Sequence, residues 1–321
     1  MLNQNNMKTR ILIFALLFIT IGLSAQESIR IISYNVENLF DTKHDTLKND
    51  NDFLPDGKYH WTYERYKTKL VNLARVISNI GQDQTPIIVG LCEVENQKCL
   101  RDLLIYGGLR KYGYQFIHEE SPDQRGIDCA LLYNGKMFRM LDAELIAVPM
   151  PPSERPTRDL VYSKGLIGPN DNDTLHVFMC HFPSQLGGTE ATAHKREAAR
   201  KILQQAIDKI LRHNPQADIL VMGDMNASPA DYLTGMHNLM LNMEKEGKGT
   251  HKWEGKWSCL DQFFVSDHLL NRATPHIYDA DWIQETDEKF TGTEPKRTYK
   301  GGFQYQDGYS DHLPIYIDIK L

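Results

Sequence analysis

The sequence predicts an α/β domain in which strands outnumber helices, with a mixed sheet or two sheets at the centre and helices outside. Short apolar, strand-like runs recur at Ile29–Tyr34, Pro86–Cys92, Ile127–Tyr133, Leu175–Cys180, Asp218–Met222, Cys259–Val265 and Leu313–Ile319. Two helical stripes stand between them. Leu70, Leu73, Ile77 and Ile80 mark the first; Ala198, Ala199, Ile202, Leu203, Ala206, Ile207, Ile210 and Leu211 mark a stronger one with charged and amide residues opposite. The order of these elements is not strict β-α-β alternation, which argues against a single parallel sheet. No repeat, low-complexity linker or clear boundary divides the chain, so one domain is expected.

The first residues read differently. Lys8 and Arg10 precede an apolar run, Ile11–Leu23, and Ser24-Ala25-Gln26 follows. A basic flank, a short apolar stretch and a small-residue exit describe a signal peptide over residues 1–25, leaving a domain over 26–321. The run is shorter than the ~20 residues of a spanning helix, and no cysteine near the cleavage site offers a lipid anchor. Export to the periplasm or the extracellular space, as a monomer without stable membrane insertion, is the expectation.

The formal charge of −6 becomes −8 without Lys8 and Arg10. That excludes a large basic footprint for nucleic acid. It does not exclude nucleic acid itself, because a bound divalent ion supplies positive charge locally. Five cysteines do not make a disulfide scaffold in a chain of 321 residues. Cys92, Cys129, Cys180 and Cys259 sit in apolar runs and read as buried free thiols. The odd count leaves at least one unpaired unless a partner chain supplies a sixth. No C-x-x-C pair points to zinc. Residues 41–61, 245–257 and 290–310 are polar or rich in Gly, Lys and aromatics, and read as long rim loops.

Buried runs end repeatedly in a metal-liking or proton-handling residue. The first strand ends at Asn35, the second at Glu93 and the fourth at His181. The fifth stops in Val221-Met-Gly-Asp-Met-Asn, with Asp224 and Asn226 two apart, which places both on one face if the backbone stays extended. Gly223 reads as the residue permitting a tight turn off the strand. Asp261 opens the sixth run, and Asp311-His312 immediately precedes the last. A single Asn or Asp at a strand end ordinarily caps a turn. A carboxylate as close to a buried run as Glu93 is costly unless paired or metal-bound. Six such coincidences at strand ends, where open α/β sheets place ligands, point to a site. Its oxygen-rich set suits Mg²⁺, with Mn²⁺ or Ca²⁺ as alternatives, rather than zinc. With His181 and His312 added, the set is a toolkit for phosphoryl chemistry.

Ser33-Tyr-Asn-Val-Glu-Asn, Leu91-Cys-Glu-Val-Glu-Asn, Arg125-Gly-Ile-Asp, His181-Phe-Pro-Ser, Gly223-Asp-Met-Asn, Leu260-Asp-Gln and Ser310-Asp-His-Leu-Pro occur in this order. Together they resemble the endonuclease/exonuclease/phosphatase superfamily of deoxyribonuclease-I-like and exonuclease III-like enzymes, over about residues 29–320. The resemblance implies a four-layer α/β sandwich, two mixed β-sheets packed face to face with helices outside and the active site at one end. It also implies roles. Glu93 is the principal metal ligand, with Asn35 and Asp311 completing or supporting the site. Asp224 orients or deprotonates the attacking water, and Asn226 holds the phosphate. His312 pairs with Asp261, and His181 is the second histidine on the phosphate, the acid being left open between them. Arg125 is a candidate phosphate contact, against which stands a plain ion pair with Asp123 or Asp128. Asp128 reads as structural. Lys195, Arg196 and Arg200 read as a solvated face, with Arg196 the one that merits testing as a substrate contact.

Family membership does not choose a substrate. Export favours a polymeric phosphodiester, so the expected function is a secreted metal-dependent phosphodiesterase, nuclease-like, acting on nucleic acid. The alternatives are a phospholipid or small-molecule phosphodiesterase or phosphatase and, from another class, a non-catalytic binding module of the same fold. Trp61, Trp253, Trp257, Tyr299, Phe303 and Tyr305 either stack on bases or pack the rim loops.

Overall fold

The computed structural model describes residues 28–168 and 171–321, so the signal peptide expected at residues 1–25 lies outside the described residues. The first part of the chain forms β1 (Ser28–Leu39), α1 (Tyr63–Ile80), β2 (Ile88–Val94), α2 (Gln97–Tyr106), β3 (Tyr114–Ile117) and β4 (Asp128–Asn134). The second forms β5 (Arg139–Ile146), β6 (Leu160–Ile167), β7 (Asp173–His181), α3 (Ala193–His213), β8 (Asp218–Asp224) and β9 (Met236–Asn238). The remainder comprises a hairpin, β10 (His251–Trp253) and β11 (Lys256–Ser258), then β12 (Asp261–Ser266) and β13 (Ala273–Ile277). Two further hairpins follow, β14 (Gln284–Thr286) with β15 (Thr293–Pro295) and β16 (Tyr299–Lys300) with β17 (Gln304–Tyr305), before the last strand, β18 (Ile315–Lys320).

The strands make two mixed six-stranded sheets, ordered β13-β18-β1-β2-β4-β3 and β5-β6-β7-β8-β12-β9. Each has a parallel pair at its centre, β1 with β2 and β7 with β8, and antiparallel neighbours elsewhere. Strand alternation sorts the side chains into layers. Ile29 and Ile31 of β1, Val177 and Met179 of β7, Leu220 and Met222 of β8 and Phe263 and Val265 of β12 meet between the sheets. Ile32, Tyr34 and Val36 face outward to α1 and α2, while Phe178, Ile219, Val221 and Phe264 face α3. This is the four-layer sandwich.

The helices form for legible reasons. Thr62 caps α1 by accepting from the Arg65 N–H, and Tyr66, Leu70, Leu73, Ile77 and Ile80 bury its apolar stripe. Asn96 caps α2 in the same way through the Cys99 N–H at 3.0 Å. Sequence reading missed α2 because its buried stripe is only Cys99, Leu100, Leu103 and Leu104. It also missed β5, an edge strand with most residues exposed, and β6, whose Ser163-Lys164-Gly165 interrupts the apolar run. The expected loops at 245–257 and 290–310 are largely small hairpins, the second beginning earlier, with β14, whereas 41–61 is a loop with one 3₁₀ turn at Asn51–Phe53. All five cysteines are buried free thiols, Cys99 included.

Candidate active site

The row of inward-facing residues turns from apolar to polar at one edge of the sandwich. On β1 it runs Ile29, Ile31, Ser33, Asn35; on β7 Val177, Met179, His181; on β8 Leu220, Met222, Asp224. The parallel register sets His181 beside Asp224, and the antiparallel register sets Asp261 opposite Asp224. Because β18 runs antiparallel to β1 with Ser33 opposite Ile315, the Ser310–His312 segment arrives at the same edge. Six chain segments thus deliver polar groups to the mouth of the intersheet core, and the six coincidences at strand ends have a single geometric origin.

Asp224 is the hub. It is buried, accepts from Asn35 Nδ2 at 3.1 Å, and has Nε2 of His181 and of His312 at 3.7 and 3.9 Å from Oδ2. Burial pushes its carboxyl up to about 7, with the Asp261 charge adding to the effect of burial and the His312 cation opposing it. His312 Nδ1 lies 2.7 Å from Asp261 Oδ2, and the Asp261 side chain is fully buried. Burial works against the imidazolium, but Asp261, Asp224 and Asp311 outweigh it and hold His312 well above the ordinary histidine range. His181 is the opposite case. Burial first, then the cations Arg158, Arg125 and His312, keep it well below that range. One neutral and one cationic imidazole therefore flank Asp224.

Glu93 sits at φ +68°, a left-handed conformation at the end of β2 that turns its carboxylate into the site. Oε2 accepts from the Asn38 N–H at 2.8 Å, and Oε1 is 3.9 Å from His181 Nε2. Asn35 is engaged at both ends, its Oδ1 accepting from the Glu37 N–H at 3.1 Å. Asp311 accepts no side-chain hydrogen bond among the described residues, and Ser310 Oγ ties its loop to the Asn35 carbonyl at 2.7 Å. Glu37, Glu93 and Asp311 crowd the buried Lys69 while Asp261, Asp224 and Asp311 crowd His312, so carboxylates exceed cations and the donor set fits a hard divalent ion. Ligand atoms of His251, Asp311 and His312 also come within 4.8 Å of one another. In that trio Asp311 is the carboxylate already grouped with Glu93, and His312 has its Nδ1 engaged by Asp261, so the two histidines extend the one site.

The strand geometry at residues 223–226 differs from the expectation. Gly223 lies inside the ladder at φ +134°, where a Cβ would stand 1.9 Å from the Cys180 carbonyl oxygen. Glycine is required there by close backbone approach, not by a turn. The turn comes later: the Asn226 N–H donates to Asp224 Oδ1 at 2.8 Å and Asn226 adopts φ +47°, so the two side chains are brought together by this Asx turn and not by extended alternation. Asn226 Nδ2 donates one hydrogen to the Phe182 carbonyl at 3.0 Å, leaving the other for a ligand.

Arg125 is half exposed and leans on Asp123 at 3.4 Å, while its charge reaches His181. Asp128 accepts from the Ser121 N–H at 3.1 Å, the structural bond expected of it. Arg196 is not part of a solvated face. It is buried and binds Thr192 Oγ1 and the Thr189 carbonyl at 2.8 and 2.6 Å, pinning the loop after His181.

Four residues escaped the sequence reading. Arg158 is buried between Asp123 Oδ2 and the Phe182 carbonyl, at 3.1 and 2.7 Å, behind His181. Lys69 holds Thr298 Oγ1 and the Tyr309 carbonyl at 2.5 and 2.6 Å. Glu37 accepts from the Thr298 N–H at 2.6 Å, and burial pushes its carboxyl up to about 7 against the pull of Lys69. His251 packs against His312 with centroids 4.8 Å apart and the rings tilted by 41°. Lys69 gave a signal, a charge three residues after Tyr66 and four before Leu73 on an otherwise apolar stripe, and Glu37 lies inside the Ser33–Asn38 motif without a role assigned to it.

The fold is shared with solved structures. Truncated TDP2 from Caenorhabditis elegans is 17% identical with a TM-score of 0.58, covering 92% of this chain and 98% of that one. TDP2 from D. rerio, complexed with single strand DNA product, is 19% identical with a TM-score of 0.54, covering 92% and 100%. The human Nocturnin catalytic domain with bound sulfate anion is 16% identical with a TM-score of 0.57, covering 91% and 93%. Among curated proteins, none matches the chain. The family model described as the Endonuclease/Exonuclease/phosphatase family matches residues 30–321, nearly all of the described domain. The chain belongs to the endonuclease/exonuclease/phosphatase family, whose members are hydrolases of phosphoester bonds and generally use divalent metal ions.

Proposed function

We propose that the protein is an exported, metal-dependent phosphodiesterase of nuclease type that cleaves nucleic acid. The observation that carries this reading is Asp224, its carboxyl near 7, standing within 4 Å of one neutral and one cationic histidine. A carboxylate in that range at neutral pH is matched to taking a proton from water. Asn226 and Asn35, bonded to its two oxygens, fix the direction in which it accepts that proton. His312, oriented by Asp261, presents a cationic Nε2 to a phosphate oxygen or leaving group, and His181 Nε2 meets the phosphate from the other side. Glu93, with Asn35 and Asp311, would hold Mg²⁺, or Mn²⁺ or Ca²⁺ in its place; the ion neutralises phosphate oxygens when bound.

Nucleic acid is favoured because a structure of this fold carries a single strand DNA product, and because the leader expected at residues 1–25 directs the enzyme to polymers outside the cell. Among the described residues no helix is long and apolar enough to cross a membrane. The test is incubation of the purified protein with plasmid DNA, single-stranded DNA, RNA, sphingomyelin and a chromogenic bis-phosphodiester, with Mg²⁺ or EDTA. Mg²⁺-dependent cleavage of DNA or RNA is expected. Turnover of sphingomyelin alone would move the assignment to phospholipid, and turnover of none would leave a binding module.

A further inference from the structure

The aromatic residues of the rim do not all behave alike. Trp61 is buried and its Nε1 donates to the Phe40 carbonyl at 2.9 Å; the Tyr299 hydroxyl donates to the Tyr59 carbonyl at 2.9 Å. These rings are fixed by bonds of their own. Phe40, Phe53 and Tyr59 form a column with centroids 4.4 and 4.7 Å apart and planes within 30° of parallel, and Tyr299 packs on Tyr59 at 4.7 Å. The column does not close on itself. Beside it lies a cavity of about 190 Å³, walled by Phe53, Tyr59, Trp61 and Tyr299 and ended by Glu37 and Arg297.

The cavity joins the candidate active site directly. Its wall includes Asn38, whose N–H holds Glu93 Oε2 at 2.8 Å. Arg297 also lines the cavity; its charge acts on both Asp311 and His251, and it has no ion pair of its own among the described residues. A phosphate held at the centre therefore has an unpaired guanidinium on the path towards the ring-lined space. The volume is below the ~300 Å³ at which pockets for whole drug-sized ligands begin, so the space takes one ring system. Aromatic walls of this kind favour a flat π-face, and Glu37, Asn38 and Arg297 offer donors and acceptors to its polar edge.

We propose that this cavity is a subsite for one unpaired nucleobase of a single strand whose phosphate lies at the Glu93–Asp224–His312 centre. The inference rests on the nuclease reading above and adds to it the kind of strand: a base enters the cavity only when it is out of its pair and stack, so single strands, overhangs and frayed ends are the substrates and intact duplex is not.

The test uses short single-stranded oligonucleotides carrying 2-aminopurine, whose fluorescence falls on stacking, or an abasic residue, placed at each position in turn. Binding is measured with Mg²⁺ in the Asp224→Asn protein, so that turnover does not intervene. One position should show strong quenching, and an abasic residue there should weaken binding roughly 5- to 150-fold, as loss of one base–aromatic stack does. Tyr59→Ala should abolish the quenching and weaken the intact oligonucleotide by a similar factor, with little further loss from the abasic residue. Tyr59→Phe, which keeps the ring, should restore both. Equal abasic penalties in the parent and Tyr59→Ala proteins, or quenching that survives Tyr59→Ala, would overturn the subsite while leaving the nuclease reading intact. Oligonucleotides that are neither bound nor cut would overturn both.

Discussion

Asp261→Asn is the most informative single change, because the only side-chain bond of the Asp261 carboxylate among the described residues is to His312, its charge reaching Asp224 besides. The bond between His312 Nδ1 and Asp261 Oδ2 is 2.7 Å long and both groups are buried, so salt screens it little. A hydrogen bond to a charged partner is worth about 1.5–3 kcal/mol, which corresponds to roughly 10- to 150-fold in kcat. The loss stops there because Asp224 and Asp311 still support the cation from 3.9 and 4.0 Å. His312→Ala removes the imidazole itself and should cost on the order of 10²–10⁴ in kcat. The double mutant should then be about as slow as His312→Ala alone, since Asp261 has nothing left to orient. The assay is the double-mutant cycle in kcat on a chromogenic phosphodiester at saturating Mg²⁺, with the Mg²⁺ midpoint, expected to change little, read in parallel. Multiplicative losses would refute the pairing, and an active His312→Ala would remove the histidine from the chemistry.

EDTA should abolish hydrolysis, Mg²⁺ or Mn²⁺ should restore it, and Glu93→Gln should raise the metal requirement sharply; full activity in EDTA would sink the oxygen-ligand assignment. Gly223→Ala forces a side chain onto the Cys180 carbonyl at φ +134° and should cost more than about 3 kcal/mol, seen as a large fall in Tm; a shift of a degree or two would contradict the close approach. His118 is buried, and burial lowers it from 6.5 to about 4, so its contribution is complete above pH 6.5 and is lost as pH falls towards 4, approaching about 3 kcal/mol. Urea titrations of His118→Phe should show a flatter stability profile than the parent over that window, and parallel profiles would count against it. Intact mass of the exported protein should place its N-terminus near Gln26, and retention of Met1 would overturn the signal peptide.

What was legible from sequence followed from burial. A strand covered on both faces must be a continuous apolar run, so β1, β2, β4, β7, β8, β12 and β18 stood out, and their polar ends stood out with them. Edge strands carry no such constraint: β5 exposes Arg139, Asp142 and Glu144, and nothing in its composition separates it from a loop. The site was legible where a charged group interrupted an apolar run and opaque where the supporting group came from a loop. Arg158 and Glu37 are bonded to backbone atoms far along the chain, Phe182 and Thr298, and no local pattern announces such a partner. The Asx turn at Asp224 shows a subtler limit, since spacing correctly brought Asp224 and Asn226 together but for a reason the spacing did not contain.

The strand order also fixes when in the molecule's life the site comes into being. β18 lies between β13 and β1, with Lys320 paired to Ser28, and Asp311 and His312 belong to the last eleven residues. A chain still emerging from the ribosome already carries Glu93, His181 and Asp224 before it has β18 to seat beside β1. Because this closing contact pairs Ser28 with Lys320, far apart along the chain, it is among the last to be rewarded during folding. The hydrolysis proposed for this site therefore waits on that pairing, for a chain whose β18 has not docked holds Glu93 and Asp224 with no His312 beside them.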